Sequence, residues 1–583
     1  MLGMNSHVMY DERLARHRAA IARLTQREHA IGLARAAAFA LIVVVAVVKW
    51  GWLVLVPAAA FLALVIATEP LRAAKRRADA AVAFCERGLA RMRGEWQGKG
   101  DAGADFEEEH HPFAADLDLF GPGSLFELIS IAATASGRAT LAGWLKHPER
   151  MRADGVRARQ AEVAKLRERV DLREDLFVIA SAVSGEIEAA HLDDWAADPP
   201  LLSSRGEHLA AIAVGVFGGL ALVLAVLVFF LPLSKIWTLP LVVALLVRGA
   251  LARRLNERVQ RVIGAVERRE PALALLGGLI ARLEREEFWR ARDASGRIET
   301  LRRLVALLDA RRNQFFAPIA IVLMWSELLA FSIERWRREW GREIVAWMDA
   351  VGEVEALLSL ASFAYEHPAF AAPEIVDGDA LFDAVAAAHP LLPEDRRVAN
   401  DVRLGGELRL LIVSGSNMSG KSTLLRTVGI NAILALAGAP VCARSLRVAP
   451  MAIGASIRIH DSLAEGASRF YAEILRIREI LAMEPPLLFL LDELLHGTNS
   501  HDRRIGAEAI VRGLVERGAI GLATTHDLAL AQVADALAPR AANVHFEDHL
   551  EGDAMAFDYT MRPGVVTKSN ALALMKAVGI LSG

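Results

Sequence analysis

Two stretches of this chain leave little freedom about where they can end up. Residues 36–68 carry one charge, Lys49, inside a run that includes LIVVVAVV and LVLVPAAAFLALVIA. Residues 209–234 carry none, and beyond Lys235 a shorter uncharged run covers 236–247. Backbone placed in hydrocarbon must satisfy its own hydrogen bonds, so an apolar run of ~20 residues predicts a helix across a bilayer. Each run breaks near its middle, at Lys49-Trp50-Gly51-Trp52 and at Lys235, and Lys and Trp suit a membrane interface. Each therefore predicts a helical hairpin that dips through the membrane and returns.

The flanking charge orients both hairpins. Arg13, Arg16, Arg18, Arg23, Arg27 and Arg35 precede the first, and Arg72, Lys75, Arg76 and Arg77 follow it. Arg248, Arg253, Arg254 and Arg258 follow the second, whereas each internal turn holds a single Lys. The positive-inside rule then places both termini and every large segment in the cytoplasm, in a multi-pass protein of the cell's inner (cytoplasmic) membrane. A third apolar stretch, 315–333, contains Pro318, Ser326 and Glu327 and runs into Glu334-Arg335-Trp336-Arg337-Arg338. A charge at mid-span is costly, so this stretch predicts a buried core helix. The surrounding region, about 251–365, has Leu, Val and Ala at helical spacing among Arg and Glu, and predicts long amphipathic helices.

Composition removes other classes. The hairpins account for a mean hydropathy of +0.30. With 67 Lys+Arg against 70 Asp+Glu, a polyanion would have to meet a local basic patch. Cys85 and Cys442 alone exclude a disulfide framework and a cysteine-based zinc site. Residues 1–30 are polar and Arg-rich with no apolar core, so no cleavable secretory signal is expected.

From about 380 the texture changes to short apolar strands, glycine turns and helices, which predicts an α/β domain. Gly415, Gly420, Lys421 and Ser422 fit G-x-x-x-x-G-K-[ST], with an apolar strand before and a helix after. Residues Gly415, Ser416, Asn417, Met418, Ser419, Gly420, Lys421, Ser422 and Thr423 would then wrap the phosphates of ATP. Lys421 would reach the β and γ oxygens, and Ser422 would ligate Mg²⁺. A second apolar strand, 487–491, ends in Asp492 and Glu493 at the carboxyl edge where such sheets bind ligands. Asp492 would hold the Mg²⁺ shell and Glu493 would activate water. A third strand end, Ala523-Thr524-Thr525-His526-Asp527, places His526 to sense the γ-phosphate.

These residues resemble the MutS family of mismatch-repair ATPases. Ser416 through Thr423 is similar to that family's P-N-M-G-G-K-S-T loop, and Asp492-Glu493 with Gly497-Thr498-Asn499-Ser500 is similar to D-E-x-x-x-G-T-S. Asp461 through Glu473 resembles the segment that completes a partner subunit's ATP site, which implies a homodimer joined through the ATPase domains, with Ser468 and Gly466 acting in trans. His389-Pro390, Val398-Ala399-Asn400-Asp401, Pro563-Gly564 and Lys568-Ser569 match segments that open and close the domain. Residues 117–144 look like the start of the family's helical core. The resemblance implies a DNA partner, mismatched or branched. It also places Arg397 where the family has an aromatic residue that stacks on adenine, so guanidinium stacking is expected there. Only 116 residues precede the core, with a hairpin among them, so no mismatch-reading domain is expected. Phe106-Glu107-Glu108 has the letters of the family's DNA wedge, but it lies beside Glu109 in an acidic segment that would repel phosphates. No C-terminal oligomerisation module is expected either. His545 and His549 lie between strand-like segments, where no metal geometry is supplied.

The expected architecture is an α/β P-loop (ABC-type) ATPase domain C-terminal to a mostly helical lever and core that carries two transmembrane hairpins. Its parts are a basic cytoplasmic N-terminus (1–30), hairpin 1 (31–70), a linker (71–111), the first part of a helical core (112–205), hairpin 2 (206–250), a helical lever (251–375) and the ATPase domain (380–583). Two other classes share these features. One is a DNA-independent mechanochemical or signalling ATPase on the membrane. The other is an ABC-type half-transporter, disfavoured by four short spans with no charge inside them.

Overall fold

The computed structural model describes all residues except 1, 49–50, 182–191, 232–233, 417, 459–468, 496–499, 527, 552–553 and 567–583. Two compact units result. One comprises 1–132, 138–173 and 355–583, and the other 133–137 and 174–354. Among the described residues four helices are long and apolar enough to cross a membrane by length and composition, two in each unit.

In the first unit, helices Leu2–Val47 and Leu55–Met92 pair as a hairpin. Their apolar centre is bare: Leu41, Val44, Leu62 and Ile66 face outward. Both helices run well past the apolar run. The second helix thus runs through the first part of the segment expected as a linker (71–111), where Ala81, Phe84, Cys85 and Leu89 recur at helical spacing and are buried. Within 98–111 the chain is also ordered. His111 is buried, and its Nδ1 accepts from the backbone of Phe113 and Ala114 at 3.4 and 3.1 Å, so burial holds its pKa down at about 4. Phe106 packs with Phe120 and Phe126 at centroid distances of 5.9 and 5.6 Å, an aromatic cluster that occupies the ring.

The first unit also holds two sheets. Strands β1 (Glu374–Ile375), β2 (Phe382–Ala387), β3 (Asn400–Leu404) and β5 (Ser445–Val448) form one, in the order β1-β5-β2-β3. The other contains β4 (Leu410–Ser414), β6 (Ala452–Ser456), β7 (Leu487–Leu491), β8 (Ile520–Thr525), β9 (Ala541–Glu551) and β10 (Ala554–Pro563), in the order β10-β9-β4-β8-β7-β6. Only β10 runs antiparallel there. Strands β4, β7 and β8 are buried along their whole length, as parallel strands with both faces covered must be. Leu410, Ile412, Leu487, Phe489 and Leu491 pack under helices Arg469–Ala482, Ser500–Glu516 and Leu528–Ala536. Helix Lys421–Ala437 contacts β7 and β8 as well. Gly429 on that helix is forced by space, since a Cβ there would lie 2.7 Å from Leu117 and 2.8 Å from Leu490.

The second unit is helical. Ser204 caps helix Arg205–Phe230, its Oγ accepting from Glu207 N at 3.3 Å. Pro240 opens the returning helix, Leu239–Leu283. At the base of this hairpin Glu207 takes both guanidinium nitrogens of Arg258, at 2.9 and 3.0 Å. Past the charges the returning helix buries Leu255, Val259, Val262, Ile263 and Val266, a helical stripe. The long helix Trp325–Glu366 brings in a buried pair, Glu334 and Arg337. Its remaining valences are filled by Leu201 N, Trp195 O and Asp198 O, so the charges do not stay unsatisfied.

Candidate functional site

The site grows from the end of β4. Gly415 (φ 154°) and Gly420 (φ 101°) bound a loop that returns the chain into helix Lys421–Ala437. Both positions need glycine for space as well as for conformation. A Cβ on Gly415 would lie 2.8 Å from Ser419 Oγ and 3.1 Å from the Phe546 carbonyl oxygen, and one on Gly420 3.0 Å from the Tyr559 ring. The loop thus presents backbone N–H groups at a helix N-terminus, a ready anion site. Ser416 Oγ and Ser419 Oγ are buried without a hydrogen-bond partner among the described residues, two polar atoms that await one. Met418 is at φ 68° and exposed, with Thr423 lining the cavity behind it.

Lys421 is buried, and its Nζ donates to the carbonyls of Gly415 and Ser416 at 2.9 and 2.8 Å. Burial pulls its pKa below the ordinary lysine value, while Glu493 and Asp492 oppose that shift. Asp492 stands at the end of β7, where Ser422 Oγ donates to its Oδ2 at 2.5 Å. Its other oxygen accepts from Thr524 Oγ1, and the same hydroxyl accepts from Glu493 N at 2.9 Å. Glu493 itself is at φ 46°, a left-handed turn that projects it beyond the sheet edge. There its carboxylate lies 3.8 Å from His526 Nδ1. The loop that follows is held by buried Glu473, which accepts from Leu495 N at 2.5 Å.

Beside the loop opens a cavity of about 820 Å³, walled by His389, Val398, Asn400, Lys421, Ser422, Glu493 and Tyr559 among others. Burial drives the His389 pKa down to about 4, so its imidazole is neutral near pH 7. Arg397, expected to stack on the base, turns towards its own segment's carbonyls. It does not line the cavity; its guanidinium donates to the carbonyls of Leu392 (2.7 Å) and Pro390 (3.0 Å) and lies over Phe370. The neighbouring Val398 faces the cavity instead. Asn417 lies outside the described residues, as do Gly466 and Ser468, which are expected to act in trans.

Two contributors carry no local motif. Thr524 is signalled only by its place at the end of β8, adjacent to β7 in a parallel sheet. Tyr559 reaches Gly420 from a register shift in β10 between Phe557 and Met561. Thr524→Val keeps the shape but removes the hydroxyl shared by Asp492 and Glu493. The expected result is a loss of ATP turnover of roughly 10–100-fold, the usual effect of losing an outer-shell orienting bond, in a steady-state phosphate-release assay.

Comparison with known proteins bears on this geometry. Residues 411–582 match the family model of MutS domain V. Over 240 residues, 40% of this chain, the sequence is 34% identical to the DNA mismatch repair protein MutS 2 of Halobacterium salinarum. The chain spans 27% of that relative's length.

Proposed function

We propose that this chain, a MutS-family protein by its C-terminal domain, is a membrane-anchored ATPase that binds and hydrolyses ATP with Mg²⁺ at the 415–423 loop. The observation that carries the reading is the hydrogen-bonded series Ser422, Asp492, Thr524, Glu493 laid under a glycine loop in which the Ser416 and Ser419 hydroxyls lack partners among the described residues. The donor set fits a hard cation: a hydroxyl and a carboxylate oxygen, Ser422 and Asp492, converge within 2.5 Å. Bound there, Mg²⁺ would offset the charge of the phosphates. Lys421 leaves the Gly415 and Ser416 carbonyls for the β and γ oxygens. Glu493, oriented through its own N–H by Thr524, accepts the proton of the attacking water. His526 is placed beside it to read the γ-phosphate. The adenosine side of the nucleotide occupies the cavity between Val398 and Tyr559.

The working form in this reading is a homodimer in which Gly466 and Ser468 of one chain complete the site of the other. ATP contacts made only in the closed dimer would shift the population towards closure, and hydrolysis would release it. The two hairpins hold the ATPase domain on the cytoplasmic face of the inner membrane. Mismatched DNA is the proposed stimulus on the strength of the relative's name, branched DNA on the family resemblance alone, and a DNA-independent membrane ATPase is the competing outcome.

ATP turnover of the detergent-purified chain, measured with homoduplex, mismatched and branched DNA across a salt series, separates the two. DNA stimulation that falls steeply with salt supports the DNA reading. Turnover indifferent to every DNA but raised by lipid overturns it and leaves the membrane ATPase.

A further inference from the structure

In the second unit, the apolar helix Arg205–Phe230 carries Gly215 and Gly218, and both meet a turn of backbone. A Cβ at Gly215 would lie 2.7 Å from the carbonyl oxygen of Leu323, and one at Gly218 2.6 Å from that of Val322. Counted from Leu209, where the uncharged run begins, these contacts lie about 9 and 14 Å along the helix. The turn therefore sits beside the span and well above the charged base formed by Glu207 and Arg258.

The segment that reaches this height is built to be greasy outside and satisfied inside. Asn313 Oδ1 accepts from Phe315 N at 2.9 Å and starts a rise into the short helix Ala317–Val322. Ala320 and Val322 are buried, whereas Phe315 is 90% exposed and Ile319 and Ile321 also project outward. Leu323 N and Met324 N bond back to Ile319 O and Ile321 O at 3.0 and 3.3 Å, and Met324 at φ 55° turns the chain into helix Trp325–Glu366. The one acid near the turn, Glu327, is buried and faces Arg248 at 3.6 Å. Non-helical backbone survives at membrane depth only where protein covers it, and a charge only where it is paired. Both conditions hold at this turn.

We propose that residues 315–323 form a membrane wedge. The segment enters the cytoplasmic leaflet beside the second hairpin, lays Phe315, Ile319 and Ile321 against acyl chains, and returns without crossing. Arg248 neutralises the acid carried in with it. The proposal rests on the hairpins being in a bilayer, and it divides the 315–333 stretch: 324–333 supplies core residues such as Ala330, Phe331 and Ile333, while 315–323 supplies the lipid face.

The test places single cysteines at Phe315→Cys, Ile319→Cys and Ile321→Cys in the full chain, whose own Cys85 and Cys442 are buried. The unsubstituted chain serves as labelling blank, and retained ATP turnover shows that each variant is folded. An environment-sensitive fluorophore is attached, the protein is put into phosphatidylethanolamine–phosphatidylglycerol vesicles, and quenching by spin-labelled lipid is compared with quenching by iodide. Val223→Cys in the span and Ile505→Cys on the ATPase domain are the references. The expected lipid-to-iodide ratio at 319 and 321 is at least roughly threefold above that at 505, following the steep polarity gradient of the leaflet. A lipid-like 223 with water-like 319 and 321 overturns the wedge and leaves the hairpins standing. A water-like 223 overturns the membrane reading and the wedge with it. Shielding of 319 and 321 from both quenchers marks a protein cover and overturns the wedge as well.

Discussion

Glu493→Gln should lower ATP turnover by about 10²–10⁴-fold, the range over which a positioned general base contributes, and leave ATP binding near wild type. The amide keeps the size of the side chain, and the backbone N–H that Thr524 holds is untouched. What disappears is the carboxylate 3.8 Å from His526, the group proposed to take a proton from water. The 415–423 loop, Lys421 and the Ser422–Asp492 bond remain, so in the proposed reading nucleotide affinity has no reason to fall. Single-turnover phosphate release measures the first quantity and equilibrium binding of fluorescent ATP the second. A variant that turns over within about threefold of wild type would remove Glu493 from the chemistry.

Glu366→Ala should destabilise the first unit by about 3–5 kcal/mol, the usual cost of leaving one partner of a buried ion pair alone. Glu366 is fully buried at the end of the long helix and takes Arg91 through two bonds of 2.6 Å. Tyr10 and Ser362 hydroxyls each add a bond of 3.0 Å to the same carboxylate. One side chain thus ties both helices of the first hairpin to residues 362–366. Burial by itself would raise its pKa, but Arg91 and these donors outweigh burial and hold it below the ordinary glutamate value. A carboxyl depressed in the folded state stabilises above its unfolded pKa and loses that contribution as pH falls through the folded one. The wild type should therefore weaken towards acid, and Glu366→Ala should show a shallower acid dependence on top of its lower midpoint. Urea midpoints of the detergent-purified chain at neutral and acid pH read both effects. Equal acid slopes for the two chains would contradict the assignment.

What the sequence shows directly is whatever one local stretch determines. The apolar runs, the strands that became β4, β7 and β8, and the loop between Gly415 and Gly420 each lie within a few consecutive residues. Contacts between distant segments were harder to see. Residues 71–92 read as a linker because Arg72, Lys75, Arg76 and Arg77 end the apolar run, yet the sparser stripe Ala81, Phe84, Cys85, Leu89 continues the helix. A motif position also fixes a backbone and not the direction of a side chain. The carbonyls of Pro390 and Leu392 offer the Arg397 guanidinium two hydrogen bonds that a base face would not. Thr524 belongs to a strand end legible in the sequence, but its bonds to Asp492 and Glu493 follow only from β8 lying next to β7.

ATP hydrolysis by this chain should be physically held on a membrane. The most direct measurement is flotation of reconstituted vesicles through a density gradient in high salt, with ATP turnover assayed across the fractions for wild type and Glu493→Gln. High salt screens proteins held only by surface charge, so what floats is inserted. The prediction is that both chains rise with the lipid and that only the wild-type fractions hydrolyse ATP. Turnover left with lipid-free protein at the bottom, or floated wild type no more active than Glu493→Gln, would contradict it.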